Sequence, residues 1–268
     1  GSGRYHRRTL LTAWMCATVT APETAPQTVP TARALITPRE RLIVALDVPD
    51  VAQAKALVER IGEGACFYKV GLELFTADGY FQLIEWLVGR GNKVFADLKF
   101  YDIPETVRRA VANLAQRGAT FATVHAHRSI LEAAVAEKRA MQLLAVTVLT
   151  SFDARDLAEM GSTHTVDELV LKRAAIAADA GCDGVICSGL EAPKIKAAFG
   201  QRLLAITPGI RPVTHTTVDD QKRTVDVAQA FQNGADYIVV GRPIRDAQDP
   251  RAAALSIQAT IAAHYSST

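Results

Sequence analysis

From Arg41 onward the chain alternates strand-like and helix-like segments eight times. Strand-like stretches cover 41–48, 66–71, 94–99 and 121–127, then 143–150, 184–189, 203–209 and 237–244. They are rich in Val, Ile, Leu and Phe, and several are almost continuously apolar, the pattern of parallel strands covered on both faces. Helical periodicity fills the gaps, at 51–61, 80–90, 105–117, 130–138, 168–180, 192–199, 225–233 and 251–264. In the first of these, Ala54, Leu57, Val58 and Ile61 fall on one face. Gly118, Gly181 and Gly234 stand where three of the helices should end. Eight β/α units within 268 residues predict a closed (β/α)8 barrel, the TIM barrel, rather than an open doubly wound sheet.

That architecture tells where to look for chemistry. In such barrels the site lies at the C-terminal ends of the strands. The third strand ends in Asp97-Leu98-Lys99-Phe100-Tyr101-Asp102-Ile103-Pro104, two carboxylates and an ammonium within six positions. Alternation along a strand places Asp97 and Lys99 on one side, with Ala96, Leu98 and Phe100 on the other. A charged pair facing a barrel core is costly unless it is paired or used. Asp102, two residues before Pro104, also suits the start of the following helix.

Other polar groups gather at the same predicted face. Asp47 ends the first strand and Lys69 lies in the second. Asp47, Lys69, Asp97 and Lys99 together make a ring of alternating charge, which allows several charges to share a dry site. Taken singly, Asp47 before Val48-Pro49 is equally a turn residue, and Lys69 equally a lysine snorkelling from a strand end. His125 reads as a structural histidine, and His127 and Arg128 as solvent-facing. Thr150-Ser151 closes the fifth strand. Gly209 and Gly241-Arg242 follow strands seven and eight, where barrels of this kind hold phosphate. Glycine lets backbone N–H groups approach the oxygens, and an arginine can bind two at once. The polar stretch from Pro208 to Thr224 is long enough for a lid.

The bulk numbers exclude other classes. A formal charge of +2 argues for neither nucleic acid nor an anionic membrane as partner, and no run is long enough to span a bilayer. Cys16, Cys66, Cys182 and Cys187 show no metal-ligand spacing and fit a reducing compartment, read here as the cytoplasm. Residues 1–38 read as a flexible, non-catalytic extension: Gly1-Ser2-Gly3 has the look of a tag remnant, and 18–38 is rich in Thr, Ala and Pro. A basic and apolar stretch at 4–16 leaves targeting as the minor alternative. Residues 39–268 form a single catalytic domain on this reading.

Leu46-Asp47-Val48, Lys69-Val70-Gly71, the run Asp97 to Val107 and Leu149-Thr150-Ser151 resemble the orotidine 5′-phosphate decarboxylase family. So do Thr207-Pro208-Gly209-Ile210-Arg211, Asp220-Gln221 and Val240-Gly241-Arg242-Pro243-Ile244, all in the right order. The resemblance implies conversion of orotidine 5′-phosphate to UMP and CO2, the last step of de novo UMP synthesis, with no metal and no organic cofactor. It implies a charged catalytic network of Lys69, Asp97, Lys99 and Asp102, with Lys99 as proton donor. Asp47 and Lys69 would contact the ribose and Thr150 the pyrimidine. Pro208 would line the site, Arg211, Gly241 and Arg242 would hold the phosphate, and Gln221 would fold over from the lid. Asp102, Ile103 and Thr106 would reach into a partner's site, making a homodimer with shared active sites the working unit. His127-Arg128-Ser129 departs from the small, glycine-rich stretch of many members. The rival reading is a metal-dependent sugar-phosphate decarboxylase or aldolase of the same suprafamily, which carries an acidic residue where Lys69 stands. Lys69, Pro104 and Gln221 argue against it.

Overall fold

A computed structural model describes residues 36–211 and 225–266. Eight parallel strands close into a barrel in sequence order, with the first hydrogen-bonded to the eighth. The strands are β1 (Leu42–Ala45), β2 (Phe67–Gly71), β3 (Lys93–Phe100), β4 (Phe121–His125), β5 (Gln142–Val146), β6 (Gly184–Ile186), β7 (Leu204–Thr207) and β8 (Tyr237–Val240). The principal helices are α1 (Val51–Ile61), α2 (Tyr80–Gly89), α3 (Pro104–Ala115), α4 (Arg128–Val135), α5 (Val166–Ala180), α6 (Ala192–Phe199), α7 (Val227–Gln232) and α8 (Pro250–Ser266). All eight expected β/α units are present.

Local chemistry explains where helices begin and end. The Asp50 side chain accepts from the Gln53 N–H at 2.8 Å and starts α1. Thr165 and Glu168 cap α5 reciprocally: the Thr165 hydroxyl accepts from the Glu168 N–H, and the Glu168 carboxylate from the Thr165 N–H. Gly181 ends α5 at φ +88°, the left-handed conformation that glycine adopts without steric cost, and Gly118 and Gly234 behave alike.

Several strands are shorter than their apolar runs suggested. The eighth was expected to run through Ile244, but pairing stops at Val240 and Arg242–Arg245 forms a helical turn. Pro243 has no N–H to offer a ladder and is pre-set for a first turn, so the backbone leaves the sheet at Gly241. Strands five and seven likewise stop short, at Val146 and Thr207, and the polar residues after them line the mouth instead. The short helix Ala154–Glu159, capped by Asp153, was not expected. Most of the expected 1–38 extension lies outside the described residues. Of its last three, Ile36 packs against the barrel interior and Pro38 opens a 3-10 turn, Pro38–Arg41.

Two apolar layers hold the fold together. The outer one lies between helices and strands. The inner one fills the barrel with inward side chains, among them Ile43, Phe67, Phe95, Phe121, Leu144, Leu204 and Tyr237. Phe67, Phe121 and Tyr237, all from even-numbered strands, pack mutually with ring centroids 5.1–5.9 Å apart. The remaining even strand contributes Gly184 to the interior. A Cβ there would lie 2.7 Å from the Leu204 carbonyl oxygen and 2.8 Å from its Cβ. The close approach of Leu204 on β7, with Leu144 on the other side, thus requires a glycine here. Below them, Arg41 donates to the Asp236 carbonyl at 2.9 Å, tying the start of β1 to β8.

Gly184→Ala should therefore lower stability by about 1–3 kcal/mol, the usual cost of overpacking a filled core. Thermal denaturation checks this, and an unchanged melting temperature would show that the interior has room.

Candidate active site

The closed floor leaves one open end, and the expected residues meet there. A cavity of about 320 Å³ is lined by Asp47, Lys69, Asp97, Lys99 and Thr150 on one side and by Pro208, Arg211, Gly241 and Arg242 on the other. Strand geometry explains the convergence: parallel strands deliver all their C-terminal ends to one face.

The charges form a chain of alternating sign. Lys69 Nζ donates to Asp47 Oδ1 at 3.1 Å and stands 3.6 Å from Asp97 Oδ2. Lys99 Nζ lies 2.9 Å from both oxygens of Asp97. Asp97 is 9% exposed, so burial penalises its charge, but Lys69 and Lys99 outweigh burial and hold its carboxyl below the usual carboxylate range. Burial likewise works against the Lys69 ammonium, and Asp97 and Asp47 more than compensate, pushing its pKa up. Both groups therefore remain ionised around neutral pH.

Alternation puts Asp97 and Lys99 on the inward side, two and four residues after Phe95, and both line the cavity, but it does not account for the backbone at Lys99. The pairing of β3 with β4 shifts register between Ala96 and Phe100, and Lys99 sits at φ +47°. The left-handed conformation costs a non-glycine residue about 1–2 kcal/mol. Strain of this kind at a strand end is a mark of a functional position.

Two participants escaped the sequence reading. Thr123, fully buried on β4, donates its hydroxyl to Asp97 Oδ1 at 2.8 Å and accepts from the Lys99 N–H at 2.9 Å. Its only signal was a threonine among apolar neighbours. Arg245 lines the cavity and donates to the Asp47 carbonyl at 2.9 Å while paired with Asp246. It falls one turn after Arg242, just past a segment read as strand.

Asp102, Ile103 and Thr106 are not among the residues that line this cavity. All three are exposed beyond β3, and Asp102 Oδ1 accepts from the Ile103 N–H at 2.6 Å. Gln221 and most of the expected lid lie outside the described residues. His125 is partly buried and His127 exposed, with Tyr101 packed 5.1 Å from each ring. Burial, with Arg173 nearby, lowers the pKa of both histidines.

Comparison with known proteins agrees with this geometry. The model of the Orotidine 5′-phosphate decarboxylase / HUMPS family matches residues 40–257. The chain belongs to this family. It is 57% identical to an orotidine 5′-phosphate decarboxylase of Methylococcus capsulatus, over 83% of this chain and 92% of that one. It is 52% identical to one of Stenotrophomonas maltophilia, over 83% and 93%. The crystal structure of the orotidine 5′-phosphate decarboxylase from Lactobacillus acidophilus superposes with a TM-score of 0.74 at 37% identity, covering 83% of this chain and 99% of that one. No helix among the described residues is long and apolar enough to cross a membrane.

The charge chain carries a pH signature. The Asp97 carboxyl titrates below the roughly 3.9 of an unfolded aspartate, so its stabilisation is present above about pH 4 and lost as the pH falls through its folded value. Asp97→Asn should be less stable than wild type at neutral pH, with the gap in Tm narrowing below about pH 4. Melting curves from pH 7 to 3 check this; a gap independent of pH would contradict it.

Proposed function

We propose that this chain decarboxylates orotidine 5′-phosphate to UMP and CO2, with Lys99 as the proton donor and without a metal or organic cofactor. The single observation behind this reading is the Asp97 carboxylate held between Lys69 and Lys99 inside a cavity whose far wall presents Arg211 and Arg242. The high identity to relatives named for this activity supports the reaction.

The chemistry suits the residue types. The C6–carboxylate bond breaks heterolytically, CO2 departs, and the electron pair stays on C6 of the pyrimidine. An ammonium beside that carbon stabilises the charge and then gives up its proton, forming the C6–H bond of UMP. Lys99 leaves as the neutral amine and is reprotonated from solvent. Asp97 fixes the Lys99 ammonium and places negative charge near the substrate carboxylate. Lys69 and Asp47 suit the ribose hydroxyls, Thr150 the pyrimidine, and Arg211, Gly241 and Arg242 the phosphate. Ammonium groups already occupy the carboxylates of Asp47 and Asp97, a donor set made for an anionic substrate rather than a divalent cation. This disfavours the metal-dependent sugar-phosphate alternative.

The homodimer belongs to the same proposal. Asp102, Ile103 and Thr106 stand outside their own cavity, and Tyr101 and Ile103 expose apolar side chains at 64% and 67%. A second copy seated on this edge would bury them and receive Asp102 into its site. Cys66, Cys182 and Cys187 remain thiols, in keeping with a cytoplasmic enzyme.

Lys99→Ala should nearly abolish turnover while the folded protein still binds UMP, measured by orotidine 5′-phosphate absorbance and calorimetry. Retention of more than a few per cent of the rate would sink the proton-donor assignment.

Arg242→Ala should cost about 1.5–3 kcal/mol of nucleotide binding, one charge-assisted contact. The phosphate-free nucleoside should be indifferent to it. Equal losses for both would move the phosphate site elsewhere.

Mixing Asp102→Ala with Lys99→Ala subunits, each inactive alone, should restore roughly one quarter of wild-type activity, since about half the dimers are mixed and each then holds one intact site. If mass spectrometry shows subunit exchange and no activity returns, Asp102 serves its own subunit.

A further inference from the structure

We propose that Thr123 is a positioning residue for the reaction: its hydroxyl sets the backbone of Lys99 and the carboxylate of Asp97 in one geometry. Thr123 is fully buried and does not line the cavity, so it acts through its neighbours rather than on substrate. An amide N–H can only donate and a carboxylate can only accept. The contacts at 2.9 Å from the Lys99 N–H and at 2.8 Å to Asp97 Oδ1 therefore fix the direction of the hydroxyl proton toward Asp97. One side chain thus satisfies both ends of the Asp97–Lys99 segment.

The backbone shows why such a group is needed. The β3–β4 register shifts between Ala96 and Phe100, which takes the Lys99 amide out of the regular ladder. Lys99 also holds the left-handed φ of +47°, a conformation that persists only where the surroundings impose it. The Thr123 hydroxyl takes the place of the missing ladder acceptor. The bend it stabilises lets the Lys99 side chain fold back until Nζ lies 2.9 Å from both Asp97 oxygens. Without it, the ammonium would lose its fixed bearing on the reacting carbon, while the ribose and phosphate contacts on the other strands would be untouched.

The inference rests on Lys99 as proton donor, and the experiment separates the two. Thr123→Val keeps the shape and removes the hydroxyl; Thr123→Ser keeps the hydroxyl. Thr123→Val should lower kcat about 10- to 100-fold, the rate equivalent of one charge-assisted hydrogen bond, with KM changed less than about threefold. Its affinity for UMP should hold, while its affinity for a UMP analogue bearing an anionic oxygen at C6 should fall in step with kcat. Thr123→Ser should recover most of the rate. A Thr123→Val enzyme with wild-type kcat, or a Thr123→Ser enzyme as slow as Thr123→Val, would overturn the proposal. If Thr123→Val does not fold, Thr123→Ala, which admits water to the Lys99 amide, carries the same comparison, and a wild-type rate there overturns it equally. An active Lys99→Ala control would instead overturn the proton-donor reading; an inactive control beside a fully active Thr123→Val enzyme would overturn the role of Thr123 alone.

Discussion

One carboxylate organises this site. Asp97 meets the ammonium of Lys99 at 2.9 Å, that of Lys69 at 3.6 Å and the hydroxyl of Thr123 at 2.8 Å. Without its charge, two ammonium groups would share one partly buried site, where like charges repel. With it, Lys69 is held charged against its burial, and the Lys99 ammonium is fixed beside the space where an anionic substrate would lie. The alternation extends outward through Asp47, more exposed than the rest and placed to meet polar groups of a ligand.

The barrel makes that arrangement affordable. Its lower half is filled by aromatic and aliphatic side chains, so tightly that Gly184 has no room for a Cβ beside Leu204, and solvent reaches the charges from one end only. The residues proposed to hold the phosphate follow β7 and β8, and the charged network lies on or just after β1, β2 and β3. Binding at one wall can therefore hold a substrate in place while chemistry proceeds at the other. In the proposed homodimer a second copy covers the edge after β3, where Asp102 and Ile103 stand exposed.

Much of this was legible from residue order. Eight continuous apolar runs separated by amphipathic helices favour a closed parallel barrel over an open sheet, and the barrel rule then marks Asp47, Lys69, Asp97, Lys99, Thr150, Pro208, Arg211, Gly241 and Arg242 as neighbours although they span most of the chain. What the order did not reveal depended on backbone detail. Alternation could not anticipate the register shift that turns Lys99 to a positive φ. A threonine within an apolar strand looks like packing until its hydroxyl is seen between a carboxylate and an amide. Arg245 was hidden because Gly241-Arg242-Pro243-Ile244 reads as strand, whereas proline and glycine release it into a turn.

The central claim is that ionised side chains alone carry the decarboxylation. The most direct test is to follow orotidine 5′-phosphate consumption by exhaustively chelated protein in D2O, with the UMP analysed by mass spectrometry and NMR. The account predicts an undiminished rate after EDTA treatment and one deuterium at C6 of the product. A rate that collapses on chelation and returns with a divalent cation would contradict it.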